Sequence, residues 1–213
     1  VAPFVGRQAQ LATLHEALER VRRGEPATAY ILGQSGMGKT ALARRFLAEV
    51  GQDPDALALT GRCYQRESVP YKAVDSLVDG LRGHLSRLQP LEAARILPRD
   101  LAALARLFPV LKGLEDSAAG RRLAPEIPDA KELRRRGSAA LRELLARLGD
   151  QRTVVMFIDD LQWGDRDSGL LLLDVMRPPD APPLLLLASW SFVLHIFFNY
   201  RYFTDRTIYI DEL

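Results

Sequence analysis

Two rhythms alternate along this chain: stretches where apolar residues recur every three or four positions, and short runs that are apolar throughout. Leu11, Leu14, Leu18 and Val21 line one side of a helix predicted from about Gln8 to Arg23, closed by Gly24-Glu25-Pro26. Ala29 to Leu32 is wholly apolar, stops at Gly33 and predicts a buried strand. A helix is predicted from Lys39 to about Val50, and Leu57 to Cys63 reads as a second strand. From Val69 to Gly149 the rhythm is mostly helical, broken at Pro90, Pro98, Pro109 and the Pro125–Pro128 stretch. The leucine stripes within it (Leu77, Leu81, Leu85, Leu88; Leu101, Leu104, Leu107; Leu141, Leu144, Leu145, Leu148) read as packing faces. Val154 to Ile158 is continuously apolar, as a strand covered on both faces should be. A helix around Asp167 to Met176, two proline pairs and a strand from Leu184 to Ala188 follow.

Strands alternating with helices imply a parallel sheet joined by right-handed crossovers, an α/β fold. The 213 residues suit one domain with a single core, and 47% hydrophobic content with net charge +2 excludes a disordered or collagen-like chain. Cys63 is the only cysteine, so no internal disulfide forms and a reducing, cytoplasmic setting is expected. Arg134-Arg135-Arg136 reads as a solvated helix face rather than a nucleic-acid patch, so no direct nucleic-acid contact is expected. The chain begins at Val1 without a basic-then-apolar leader and reads as a piece of a larger protein. Leu184 to Phe198 is the longest apolar run, interrupted by Ser189, Ser191 and His195; a membrane helix needs roughly 20 residues, so no membrane contact is expected. Phe192 to Leu213 differs from all that precedes it, with seven of the sixteen aromatics and no alanine. A shifted reading frame or fusion is the favoured reading of residues 191–213, over a hairpin with strands near Val193–Phe198 and Thr207–Ile210.

Gly33-Gln34-Ser35-Gly36-Met37-Gly38-Lys39-Thr40 fits the phosphate-loop pattern G-x-x-x-x-G-K-[ST], with an apolar strand before it and a helix after it. Its glycines let the backbone curl so that amide N–H groups face an anion, beside the positive end of the following helix dipole. Lys39 offers charge to β- and γ-phosphates, and the Thr40 hydroxyl offers a ligand to Mg²⁺. Asp159-Asp160 closes the most apolar strand, where a carboxylate is costly unless a cation or hydrogen bonds compensate. Asp159 is the candidate Mg²⁺ ligand beside Thr40, and Asp160 is the candidate base for an attacking water. His15, His84 and His195 show no metal-ligand spacing, and Cys63 reads as a small buried apolar residue.

Four segments together resemble the STAND branch of AAA-like (ASCE) signalling P-loop ATPases, the modules of MalT-type transcription activators and of bacterial serine/threonine kinases with an attached ATPase. They are Phe4-Val5-Gly6-Arg7, Gly33–Thr40, Gly61-Arg62-Cys63-Tyr64 with Val69-Pro70-Tyr71, and Ile158-Asp159-Asp160-Leu161-Gln162-Trp163-Gly164-Asp165. The resemblance spans residues 4 to about 190 and implies a P-loop NTPase domain over 1–190. It places a helical insertion at about 65–150, between the second and third strands, in a fold left incomplete at its C-terminal side. By resemblance, Val5, Gly6 and Arg7 line the base and sugar of ATP, the loop from Gly33 through Ala41 holds its phosphates, and Trp163 packs on the sheet. A γ-phosphate-sensing arginine after Leu184–Ser189, a fifth core strand, a helical lid and a winged helix are expected to be lacking. The resemblance implies ATP and ADP, other domains of the parent protein and a nucleotide-dependent oligomer as partners. Three functions stay open: a slowly hydrolysing signalling ATPase, a nucleotide-holding interaction module without turnover, and a small-molecule kinase. The paired aspartates argue against the last, and no protein-kinase H-R-D or D-F-G signature occurs.

Overall fold

The computed structural model describes residues 6–65, 69–114 and 129–191, and the backbone of 206–209. Its α-helices are α1 (Gln8–Arg22), α2 (Lys39–Val50), α3 (Lys72–Leu85), α4 (Pro90–Ile96), α5 (Leu101–Leu107), α6 (Ala130–Gly149) and α7 (Arg166–Val175). Its strands are β1 (Ala27–Gly33), β2 (Ala56–Arg62), β3 (Thr153–Asp159), β4 (Leu184–Ser191) and β5 (Arg206–Tyr209). They form one parallel sheet in the order β2-β3-β4-β1-β5.

The two faces of the sheet bury separate clusters. On one side α1 and α2 place Leu14, Leu18, Leu42 and Phe46 against Ile31, Val155, Phe157 and Leu187. On the other, α3 and α6 lay the leucine stripes Leu77, Leu81, Leu85 and Leu141, Leu144, Leu148 against Val154, Met156 and Ile158. Strands covered on both sides need apolar residues at every position, as β3 and β4 have. The expected insertion is α3 to α6, between β2 and β3, and Trp163 packs against its cluster.

Two expectations need correction. β4 runs past Ala188 to Ser191 because its register with β1 continues to the pair Gly33 and Ser191; neighbouring backbone groups, not side-chain hydropathy, set its end. The fifth strand expected to be lacking is present as β5, which pairs in parallel with β1 from Ala29–Arg206 to Leu32–Tyr209. Without it β1 would be a bare edge, and a Thr-Ile-Tyr segment suits the pleat. Val193–Phe198, the first arm of the alternative hairpin, lies outside the described residues. No described helix is long and apolar enough to cross a membrane.

Candidate functional site

The strand ends of β1, β3 and β4 converge on the loop between β1 and α2. Gly36 and Gly38 have φ of 85° and 82°. A Cβ added at either would meet nothing within 4 Å, so backbone conformation rather than space requires glycine there. No side chain caps α2, whose N-cap is Gly38, which leaves first-turn amides available to an anion.

Lys39 opens α2 and is only 6% exposed, its Nζ donating to the carbonyls of Gly33 (3.0 Å) and Gln34 (2.7 Å). Burial pushes the ammonium below its ordinary pKa, and the charges of Asp160 and Asp159 pull it only partly back. A cation left short of counter-charge is suited to a phosphate. One residue on, the Thr40 hydroxyl donates to the Asp159 carboxylate, 3.0 and 3.1 Å from its two oxygens. This contact joins positions 119 residues apart and closes the loop against β3. A hydroxyl beside a buried carboxylate is the hard-oxygen donor pair that Mg²⁺ takes when substrate phosphates and water complete its shell.

Asp159 is 4% exposed and also accepts from the Ser189 hydroxyl at 2.6 Å. That hydroxyl accepts in turn from the Asp160 amide at 2.8 Å, so a β4 side chain pins the last residue of β3 and the one after it. Asp160 stands in the left-handed region (φ 57°), which turns its carboxylate out of the strand. Arg62, at the end of β2, donates to its Oδ2 at 3.1 Å, and Gln162 donates to its Oδ1 at 3.1 Å. Gln162 accepts from the Ser191 amide at 3.1 Å, anchoring the arrangement to β4.

The sequence reading assigned no role to Arg62, Gln162 or Ser189. The available signal for Ser189 was a hydroxyl inside a wholly buried strand, one step beyond the Ile158–Ala188 register pair. Arg7 also sits at the loop, donating to the Met37 carbonyl at 3.2 Å. Gly6 precedes it with φ 83°, whereas Val5 lies outside the described residues. Gln34, Ser35 and Ala41 complete the segment from β1 into α2.

Beyond the site, Asp165 caps α7 through the Ser168 amide (2.8 Å) and accepts the Ser168 hydroxyl (2.5 Å). It also accepts from the amides of Tyr71 (2.9 Å) and Ala73 (3.4 Å), at the start of α3. Burial alone would raise the pKa of this carboxyl; these hydrogen bonds outweigh it and hold the pKa below the ordinary range.

No curated protein matches the chain by sequence. Among solved structures, it is similar to a chain of the Drosophila ORC bound to DNA, with 18% identity and a TM-score of 0.49 over 97% of this chain and 43% of that one. It is similar to the Aeropyrum pernix ORC1 protein in complex with DNA, with 20% identity and a TM-score of 0.38, over 90% of this chain and 40% of that one. A third likeness, at 14% identity and a TM-score of 0.35, is to a chain of the Drosophila ORC bound to GC-rich DNA and Cdc6, covering 91% of this chain and 55% of that one. The chain thus spans about half or less of each, and at such identities a likeness speaks of fold alone. The expectation of no nucleic-acid contact is corrected here, since each of these structures is of a DNA-bound assembly. A model of the AAA ATPase domain matches residues 3–187, and the chain, with its phosphate loop facing an aspartate at the end of β3, belongs to the AAA ATPase domain family.

Proposed function

We propose that this domain is a signalling ATPase of the STAND kind, within a larger bacterial regulatory protein linked to a kinase or a transcription regulator, that binds ATP with Mg²⁺ and hydrolyses it slowly. The observation that carries the reading is the Thr40–Asp159 contact, which brings the phosphate loop to a buried carboxylate on another strand. The family supports nucleotide binding, and the run from Asp159 to Asp165 supports the STAND assignment.

The segment Gly33 to Ala41 would wrap the phosphates, and Val5, Gly6 and Arg7 would lie at the base and sugar. Lys39 would exchange its two carbonyl partners for phosphate oxygens. Thr40 and Asp159 would hold Mg²⁺, which neutralises charge on the phosphates when bound. Asp160 would orient a water and take its proton on a carboxylate oxygen while the water oxygen bonds to the γ-phosphorus and the bond to the β-phosphate bridge breaks. Both Asp160 oxygens accept a hydrogen bond, from Arg62 and Gln162, which hold the carboxylate in place while each oxygen keeps a lone pair for the water. In the parent protein, a cytoplasmic switch results if the γ-phosphate is held better in one arrangement of domains, or in one oligomer, than in another.

The same two hydrogen bonds also suit a second reading, a nucleotide-holding interaction module without turnover. Phosphate release by this chain with Mg²⁺ and ATP, compared with Asp160→Asn, separates the two. A general base predicts a loss of roughly a hundredfold or more in the variant. Release at the level of buffer alone from both proteins assigns the module reading instead, and equal release above it removes the base role from Asp160.

A further inference from the structure

The strongest feature outside the nucleotide corner is the free edge of the sheet. β2 is the outermost strand, and its register with β3 fixes which backbone groups are spare. The Asp55 carbonyl and the Cys63 amide both bond to β3, so odd-numbered residues face the sheet. By the alternation of a strand, the N–H and C=O groups of Ala58 and Thr60 point away from it. Among the described residues nothing pairs with them. The edge also lacks the usual protection, since the exposed side chains at 58 and 60 are an alanine and a threonine rather than lysine or proline.

Beside this edge, on the α2 side, lies an open groove of about 590 Å³. Leu47, Ala48 and Phe157 give it apolar walls, and Arg44 and Arg62 are its exposed charges. Asp159, the acid it reaches, is buried beneath Thr40 and Ser189. Arg44 makes no ion pair with any described residue, and Arg62 keeps N–H donors beyond the one given to Asp160. At the end of the strand Tyr64 is 55% exposed, with the Arg62 guanidinium 5.6 Å from its ring centroid.

We propose that this edge receives an extended acidic segment of a partner protein, added as a sixth strand against β2. Backbone pairing with Ala58 and Thr60 supplies affinity. Alternate side chains of the incoming strand fall on the groove side, where carboxylates meet Arg44 and Arg62 and an apolar residue meets Leu47, Ala48 and Phe157. The guanidinium of Arg44 and the spare N–H donors of Arg62 select glutamate or aspartate over lysine, and Tyr64 offers an apolar rest for the end of the segment.

The test is fluorescence anisotropy with the whole chain and a labelled, acetylated seven-residue peptide, Glu-Thr-Val-Thr-Glu-Thr-Val, which carries glutamate and valine on one face, beside a twin carrying lysine for glutamate. The glutamate peptide should bind, more weakly as salt rises, and the lysine peptide should not. Arg44→Glu should weaken binding at least tenfold. Thr60→Pro should abolish it while leaving the fold intact, because the lost N–H points outward and serves no ladder bond. Thermal melts of both variants show whether the fold is kept, and Arg44→Glu carries the test should Thr60→Pro melt early. No binding of the glutamate peptide, equal binding of the lysine peptide, or unchanged binding by a folded Arg44→Glu protein overturns the proposal. So does a dimer that Thr60→Pro dissolves with no peptide bound, which would give this edge to a second copy.

Discussion

The corner around Lys39 and the flank formed by α3 to α6 are held by opposite kinds of force. In the corner, an ammonium, a hydroxyl and two carboxylates are drawn together at the cost of desolvation. In the flank, leucines at helical spacing are removed from water with little polar content to satisfy. The first arrangement waits for a ligand to compensate it; the second supplies the stability that lets the first exist. Substitutions in the flank should therefore alter folding and spare affinity, and substitutions in the corner should do the reverse.

The largest effect expected is at Leu144, wholly buried in the flank. Leu144→Ala should lower unfolding free energy by about 2–5 kcal/mol in urea titrations. Nucleotide affinity of the folded fraction should not change; a loss of affinity would break the division. Next, Lys39→Ala should weaken binding of a fluorescent ATP analogue roughly 10–100-fold, since a charge-assisted hydrogen bond contributes about 1.5–3 kcal/mol. Its melting temperature without nucleotide should not fall. A lysine whose folded pKa lies below its unfolded one is destabilising while charged, a cost that fades as pH rises and that the variant removes.

Asp165 sharpens the comparison because it links the two regions. Asp165→Asn should cost about 1–2 kcal/mol at pH 7, from a weakened cap and weakened amide contacts. Its folded pKa is depressed, so its contribution is complete above the unfolded value near 4 and is lost as pH falls through the lower folded value. The difference between wild type and variant should thus shrink below about pH 4, as urea midpoints at pH 7 and pH 3 would show. Smallest of all, Arg135→Ala removes a solvent-exposed partner of Glu132 on α6 and should leave the melting curve unchanged.

Much of this was legible in the residues. The bounds of α2, the strand before the loop and the convergence of Lys39, Thr40 and Asp159 follow from a local motif and from hydropathy periods. What escaped prediction depends on register between strands distant in sequence. Ser189 acts because β4 sets it beside Asp159, and Arg62 acts because β2 ends level with Asp159. Neither neighbour is written in the local spacing. The left-handed backbone at Asp160 and Tyr71 was equally hidden, since neither residue is glycine. A strand near Thr207–Ile210 was only the alternative reading because its aromatic surroundings depart from the composition of the rest, whereas strand formation answers to an available edge.

The reach of Asp165 has a mechanical consequence. One carboxylate simultaneously seats the first turns of α3 and α7, two helices whose starts are 94 residues apart in the contact it makes with Tyr71. The peptide that carries it follows directly from the acidic tip of β3. One side chain thus anchors the root of the insertion to the segment that follows the acidic strand end, by a route that uses none of the insertion's leucines.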